Sequence, residues 1–236
     1  MITSNGMEPN QQNTFIIPLA ILVAGGLVAA AIYFGTTPSR PIIKNTTSPD
    51  IAQIDIISVT EKDHIIGNRN ATLVIVEYSD TECPFCKTFH YTMKEIVQTY
   101  DGEVAWVYRQ FPIVQLHTKA IKEAEATECA AELGGNQVFW KYLDKLFETT
   151  NSNDSLDPSE LPKIATAVGL DVTAFNACLS SGKHNEFVKK SVEEAIKAGA
   201  LGTPYSVILT KDGQKVVING AEPITMIKAK IDSLLK

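Results

Sequence analysis

The sequence predicts an α/β domain, a βαβ unit followed by a helical block and a ββα unit, behind one N-terminal membrane-spanning helix. Three observations carry that expectation. An uncharged run of 20 residues lies near the N-terminus, two short β-branched runs flank a helical stripe over residues 72–108, and strand character returns only after residue 205. The bulk composition agrees with a folded domain. Of 236 residues, 44% are hydrophobic and 20% charged, which excludes a disordered, collagen-like or low-complexity chain. The 21 Lys and Arg stand against 27 Asp and Glu, a net charge of -6. A surface of that sign repels phosphate backbones, so nucleic acid is not an expected partner.

Residues 1–14 form a polar tail, and Phe15 to Phe34 is long enough to cross a hydrocarbon core of roughly 30 Å as a helix. A buried core helix and a cleaved signal peptide are the alternatives. Ala29 and Ala31 offer a small-residue cleavage site, but no Lys or Arg precedes the run. The reading taken is an uncleaved single-pass anchor. The first basic residues, Arg40 and Lys44, follow the span, and taken alone they would leave the main domain in the cytoplasm. Residues 35–60, with Pro38, Pro41 and Pro49, read as an extended tether, and 61–236 as the folded domain.

Within that domain, Thr72 to Tyr78 is a short apolar run suited to a strand covered on both faces. Phe85, Phe89, Met93, Ile96, Val97 and Tyr100 then recur at three- and four-residue steps until Asp101-Gly102 stops the helix. Val104 to Tyr108 is the next strand, which makes a βαβ unit with a parallel pair. Residues 118–200 read as an inserted block of five helices: Lys119 to Leu133, Gln137 to Thr149 beyond Gly134-Gly135, one opened by Asp157-Pro158-Ser159-Glu160, Asp171 to Leu179, and Asn185 to Ala198. Ser206 to Thr210 and Val216 to Asn219 form a hairpin about Lys211-Asp212-Gly213, and Ile224 to Leu235 is a closing amphipathic helix.

Cys83-Pro84-Phe85-Cys86 falls between the first strand and the first helix. Pro84 suits the first helical position, so Cys83 takes the N-cap. There its sulfur meets the unpaired N–H groups of the first turn and the positive end of the helix dipole, which lower a thiol pKa. Cys86 comes one turn later and points inward. The asymmetry assigns exchange with a substrate sulfur to Cys83 and resolution of the mixed disulfide to Cys86. A zinc site and an inert bridge are the alternatives. Zinc needs two further ligands, and Cys129 and Cys178 supply no second close pair, so no metal is expected.

The chain resembles the DsbA-like thiol:disulfide oxidoreductases, thioredoxin-fold proteins with a helical insertion. Three motifs carry the resemblance: Glu77-Tyr78-Ser79-Asp80 leading into the dithiol, Arg109-Gln110-Phe111-Pro112 after the second strand, and Gly202-Thr203-Pro204 before the third. It covers about residues 58–236. Phe85 departs from the most familiar member, which has a His between the cysteines that helps to stabilise the thiolate. The resemblance implies that Thr203-Pro204 is a cis-proline turn lying against the dithiol, with Thr203 a substrate contact. It also implies that Glu77 is a buried acid beneath it. Read from its own position, Glu77 is a carboxylate at the end of an apolar strand, either desolvated and able to exchange a proton with Cys86 or hydrogen-bonded at the rim. His90 and His117 read as packing or capping residues, and Asp80 and Glu82 as negative charges opposing the Cys83 thiolate. The Asn-X-Ser/Thr triplets at Asn45, Asn70 and Asn153 receive no role.

Some members of the family bridge their insertion with a disulfide, which supports a Cys129–Cys178 pair over two separate buried thiols. Such a bridge, and an anchor ahead of a dithiol oxidoreductase, imply an oxidising compartment outside the cytoplasm. The expected function is oxidation of newly exported or unfolded protein substrates through the Cys83–Cys86 disulfide, with no cofactor beyond that disulfide and a redox partner for recycling. A reductase or isomerase, and a non-catalytic peptide-binding module, are the alternative readings.

Overall fold

A computed structural model describes residues 54–236. The tail at 1–14, the span expected at 15–34 and the linker up to residue 53 lie outside them. No helix among the described residues is long and apolar enough to cross a membrane.

Strands β1 (His64–Ile66), β2 (Leu73–Ser79), β3 (Val104–Gln110), β4 (Tyr205–Thr210) and β5 (Lys215–Asn219) form one sheet in the order β1-β3-β2-β4-β5. β2 and β3 run parallel on either side of helix α1 (Pro84–Thr99) in sequence, and every other pairing is antiparallel. The alternation of β2 sets the two layers. Leu73 and Ile75 pack with Trp106, Ile208 and the α1 residues Phe89, Met93 and Ile96 on one face. Val76 and Tyr78 pack with Val107 and Val207 on the other. Glu77 and Ser79 share the parity of Ile75 and therefore face α1.

The insertion begins with α2 (Ala120–Thr149), which is unbroken in hydrogen bonding but not in backbone. Gly135 has φ 73° and ψ -174°, a conformation that L side chains avoid, so two helical rods meet there, as Gly134-Gly135 predicts. A Cβ on Gly134 would lie 2.4 Å from Val138 Cγ2, which explains why the first glycine is needed too. Helices α3 (Glu160–Ala167) and α4 (Val172–Ser181) pack on α2 around a separate apolar cluster. Asp171 caps α4 by accepting from the Ala174 N–H at 2.7 Å. Within that cluster Cys129 and Cys178 form a disulfide, Cα to Cα 5.9 Å, which ties α2 to α4. Helix α5 (Asn185–Lys197) returns along the sheet face opposite α1, burying Ala195, and α6 (Ile224–Leu234) buries Ile227 and Ile231 on the α1 face.

Two features differ from the sequence reading. Strand β1 has no counterpart in the sequence pattern. It has three residues, and its outer edge is satisfied by a side chain rather than a strand: Ile65 N–H donates to Asn136 Oδ1 at 2.9 Å and Asn136 Nδ2 donates to Ile65 O at 2.8 Å. Residues 54–60, read as the end of a loose tether, have no regular secondary structure yet are docked. Ile54, Ile56 and Val59 pack on the α5 face, and Arg109 donates to the carbonyls of Ile57 (3.1 Å) and Ser58 (3.4 Å). The same guanidinium holds Asp63 Oδ1 at 2.8 Å and Tyr78 Oη at 3.1 Å, which gives the Arg109 motif a structural purpose.

Candidate active site

Cys83 and Cys86 are unbonded thiols at the start of α1, where β2 hands the chain to the helix. Cys83 is the N-cap, in extended backbone at φ -78° and ψ 121°, with Pro84 in the first helical turn. Its residue surface is 6% exposed, whereas Cys86 is 0% exposed. Opposite them the Thr203-Pro204 peptide bond is cis, and Cys83 Sγ donates to Thr203 O at 3.4 Å. Phe85, two residues after Cys83, and Leu201, two residues before Thr203, stand 64% and 102% exposed. Phe85, which the sequence pattern counts in the buried stripe of α1, lies outside the core that Cys86 and Phe89 enter.

The two sulfurs are pushed in opposite directions. The Cys83 pKa falls from 9.0 to about 6, above all because the Cys86 thiol donates a hydrogen bond to its thiolate. The Thr203 hydroxyl and the backbone N–H groups of Cys86 and Phe85 add to this against the cost of burial. Burial, and then the hydrogen bond and charge of Cys83, push the Cys86 thiol well above its ordinary value. The helix terminus is therefore only part of what stabilises the Cys83 anion, and the neighbouring thiol is the larger part. Ultraviolet thiolate absorbance of the reduced protein should accordingly titrate with a midpoint of about 6 and disappear in Cys83→Ala, and a midpoint at the ordinary 9.0 would refute this geometry.

Beneath Cys86, Glu77 is 0% exposed. Trp106 Nε1 donates to its Oε2 at 2.9 Å, while Oε1 has no partner. Burial pushes its pKa up to about 8, so at neutral pH it is largely a carboxylic acid. The desolvated reading of Glu77, not the rim reading, describes its position. The rest of this floor comes from the strands beside it: Tyr108 on β3 and Ser206 on β4 both sit opposite Glu77 in register.

Asp80 and Glu82 do not oppose the Cys83 thiolate as their position in sequence suggested. Both are buried and turned away from it. Asp80 accepts from Ile113 N–H at 2.7 Å and pairs with His117 Nδ1 at 2.9 Å. Glu82 accepts from Thr150 Oγ1, Ser155 N–H and Leu156 N–H, all within 3.1 Å. Their charge falls instead on Glu123, a residue the sequence gave no reason to select. Glu123 is 2% exposed, accepts from Thr81 Oγ1 at 2.7 Å and has its pKa pushed up to about 8, first by burial and then by Glu82 and Asp80. His90 packs among Trp106, Trp140 and Phe147 with Nε2 2.7 Å from Asp144, and burial lowers its pKa, as suits a packing residue.

Comparison with known proteins places this arrangement. The profile of a family described as Thioredoxin matches residues 59–226. The crystal structure of Pseudomonas aeruginosa DsbA2 superposes with a TM-score of 0.65 at 27% identity, covering 75% of this chain and 97% of that one. BdbD from Bacillus subtilis, in its oxidised form, gives 0.65 at 22% identity over 77% and 97%. The thiol-disulfide exchange protein alpha-DsbA2 from Wolbachia pipientis gives 0.62 at 21% identity over 73% and 87%. The last two speak to the fold alone. Among curated proteins, the Na(+)/H(+) antiporter NhaA 3 of Salinispora tropica is 33% identical over 144 residues, 61% of this chain and 21% of that protein. NhaA 1 of Mycolicibacterium vanbaalenii is 34% identical over 116 residues, 49% and 18%. The chain thus spans about a fifth of the length of these antiporters, whose named activity is that of the whole proteins.

Proposed function

We propose, from the premise that this chain belongs to the thioredoxin family, that it exchanges disulfides with protein substrates through Cys83 and Cys86. One observation carries the reading. Two thiols a helical turn apart have opposed acidities, the one that reaches the surface lowered to about 6 and the enclosed one raised. A thiolate attacks and leaves readily, and a protonated neighbour waits to resolve the product. No metal or organic cofactor is needed for these steps.

The direction we assign is oxidation of the substrate. A lowered Cys83 pKa stabilises the reduced protein, and at pH 7 a shift from 9.0 to about 6 amounts to roughly 1 to 2 kcal/mol, or roughly 30 mV in the two-electron couple. That favours giving the disulfide away. Newly exported or unfolded chains are the proposed substrates, met as extended segments beside Thr203 and Pro204, and a separate redox partner re-forms the disulfide. The Cys129–Cys178 bridge supports an oxidising compartment, and the uncharged run at 15–34 supports a single-pass anchor with the domain outside the cytoplasm.

Cys86→Ala tests the exchange directly. Without its resolving thiol the protein should accumulate an intermolecular disulfide at Cys83, visible on non-reducing gels and lost on reduction. A module that only binds peptides traps nothing, and that outcome would end the proposal.

A further inference from the structure

On the α1 side of the sheet, four buried oxygens lie close together: Glu77 Oε1, Ser79 Oγ, Tyr108 Oη and Ser206 Oγ. They lie where a proton must travel. The Asp80 N–H, one peptide beyond Ser79, is 3.4 Å from Cys86 Sγ, which brings the end of β2 against the enclosed sulfur. Glu77 lies two residues earlier on the same face, its Oε2 held by Trp106 and its Oε1 open to Ser79. Ser79 therefore stands between the acid and the thiol. Its hydroxyl lowers the pKa of Glu77, Cys86 and Tyr108 alike, which requires it to be near all three.

We infer that the Ser79 hydroxyl relays the proton that passes between Glu77 and Cys86. This rests on the exchange activity proposed above. A substrate thiolate attacks Cys83 Sγ of the enzyme disulfide, a substrate–Cys83 bond forms, the Cys83–Cys86 bond breaks, and its electron pair leaves on Cys86 Sγ. That anion is enclosed, since Cys86 is 0% exposed. It takes the proton of Ser79 Oγ, and Ser79 is resupplied by the carboxylic acid of Glu77, which becomes a carboxylate. The second substrate thiolate then attacks the substrate sulfur of the mixed disulfide, and Cys83 leaves as a stable thiolate. The substrate has lost two electrons and the enzyme has gained them. When the enzyme disulfide is remade, the Cys86 proton returns to Glu77 along the same path. The titratable groups facing Ser79 are Glu77 on β2, Tyr108 on β3 and Cys86 on α1.

The test follows formation of the mixed disulfide between oxidised enzyme and reduced glutathione, with rates normalised to the thiolate fraction of glutathione. The wild-type rate should fall as pH rises past about 8, where Glu77 loses its proton. Ser79→Ala should be slower by about 10²-fold and lose that fall, since positioned proton transfer supplies at least this much. Ser79→Thr should keep both rate and profile, and Ser79→Ala with Glu77→Gln should be no slower than either alone. If Ala disturbs the strand, Ser79→Val keeps the shape of the Thr variant without its hydroxyl. A wild-type rate and profile in Ser79→Ala, or a uniform slowing without a changed profile, overturns the relay. Each of those results leaves exchange itself intact if Cys86→Ala still traps a substrate. Failure of the trap removes the exchange reading instead.

Discussion

Glu77→Gln should make the protein more stable while making it a slower catalyst. The folded-state pKa of Glu77 is raised from 4.5 to about 8. A group raised on folding contributes its full stability below the unfolded value and loses it as pH climbs through the folded value. Between pH 4.5 and 8 the native protein must therefore hold a proton that the unfolded chain has released. The cost is about 3 kcal/mol at pH 7 and levels off near about 5 kcal/mol above pH 8, on the order of the shift itself. Gln carries no charge to desolvate, and its amide oxygen can accept the Trp106 N–H that Oε2 now accepts. The gain should thus be small at pH 5 and grow through pH 7 to pH 9, read as the difference in denaturation free energy between reduced variant and reduced wild type. Taking the difference removes most of the opposite contribution of Cys83, whose lowered pKa adds stability as pH rises from about 6 to 9 and whose charge is the smallest of the causes acting on Glu77. Equal stability across that range would mean that Glu77 is not held as an acid. The same change should slow exchange by about 10²-fold, because it removes the proton donor to Cys86.

The second large effect lies far from the dithiol. Replacing Cys129 and Cys178 together by Ala opens a bridge across a sequence separation of 49. Chain entropy alone assigns such a loop about 4 kcal/mol. For a domain of this size, that corresponds to a thermal midpoint lower by roughly 10 °C. The loss should be concentrated in the insertion, since both cysteines belong to the cluster of α2, α3 and α4 and not to the sheet. Amide exchange should accordingly quicken around Phe175 and Leu161 before it does around Trp106. An unchanged midpoint would show that packing around Phe175 and Tyr142 holds α4 without the bond.

Much of this architecture is legible in the residues because period and punctuation agree. The β-branched run at 73–78, the stripe of Phe89, Met93 and Ile96, and the glycine pair at 134–135 each specify one local structure. What escapes the sequence is settled by partners distant along the chain. Strand β1 is too short for a period, and its edge is completed by Asn136, 71 residues on. Glu123 looks like one more charge on a Lys- and Glu-rich helix until Thr81 and Glu82 close over it. The charges of Asp80 and Glu82 were legible but not their aim. A carboxylate beside a thiol in sequence does not act on it when its lone pairs are taken by N–H groups from the insertion.

Glu82 also bears on how the molecule gives way. It immediately precedes the nucleophile, its carboxylate grips Thr150, Ser155 and Leu156, and its carbonyl receives the Asn153 N–H at 2.7 Å. Ser152, Asn153 and Asp154 all have positive φ, so the connection between α2 and α3 is itself a tightly wound bend. Damage there, such as a protease nick, would travel one peptide to reach Cys83, and the helical lobe could not sway outward without tugging the reactive sulfur with it.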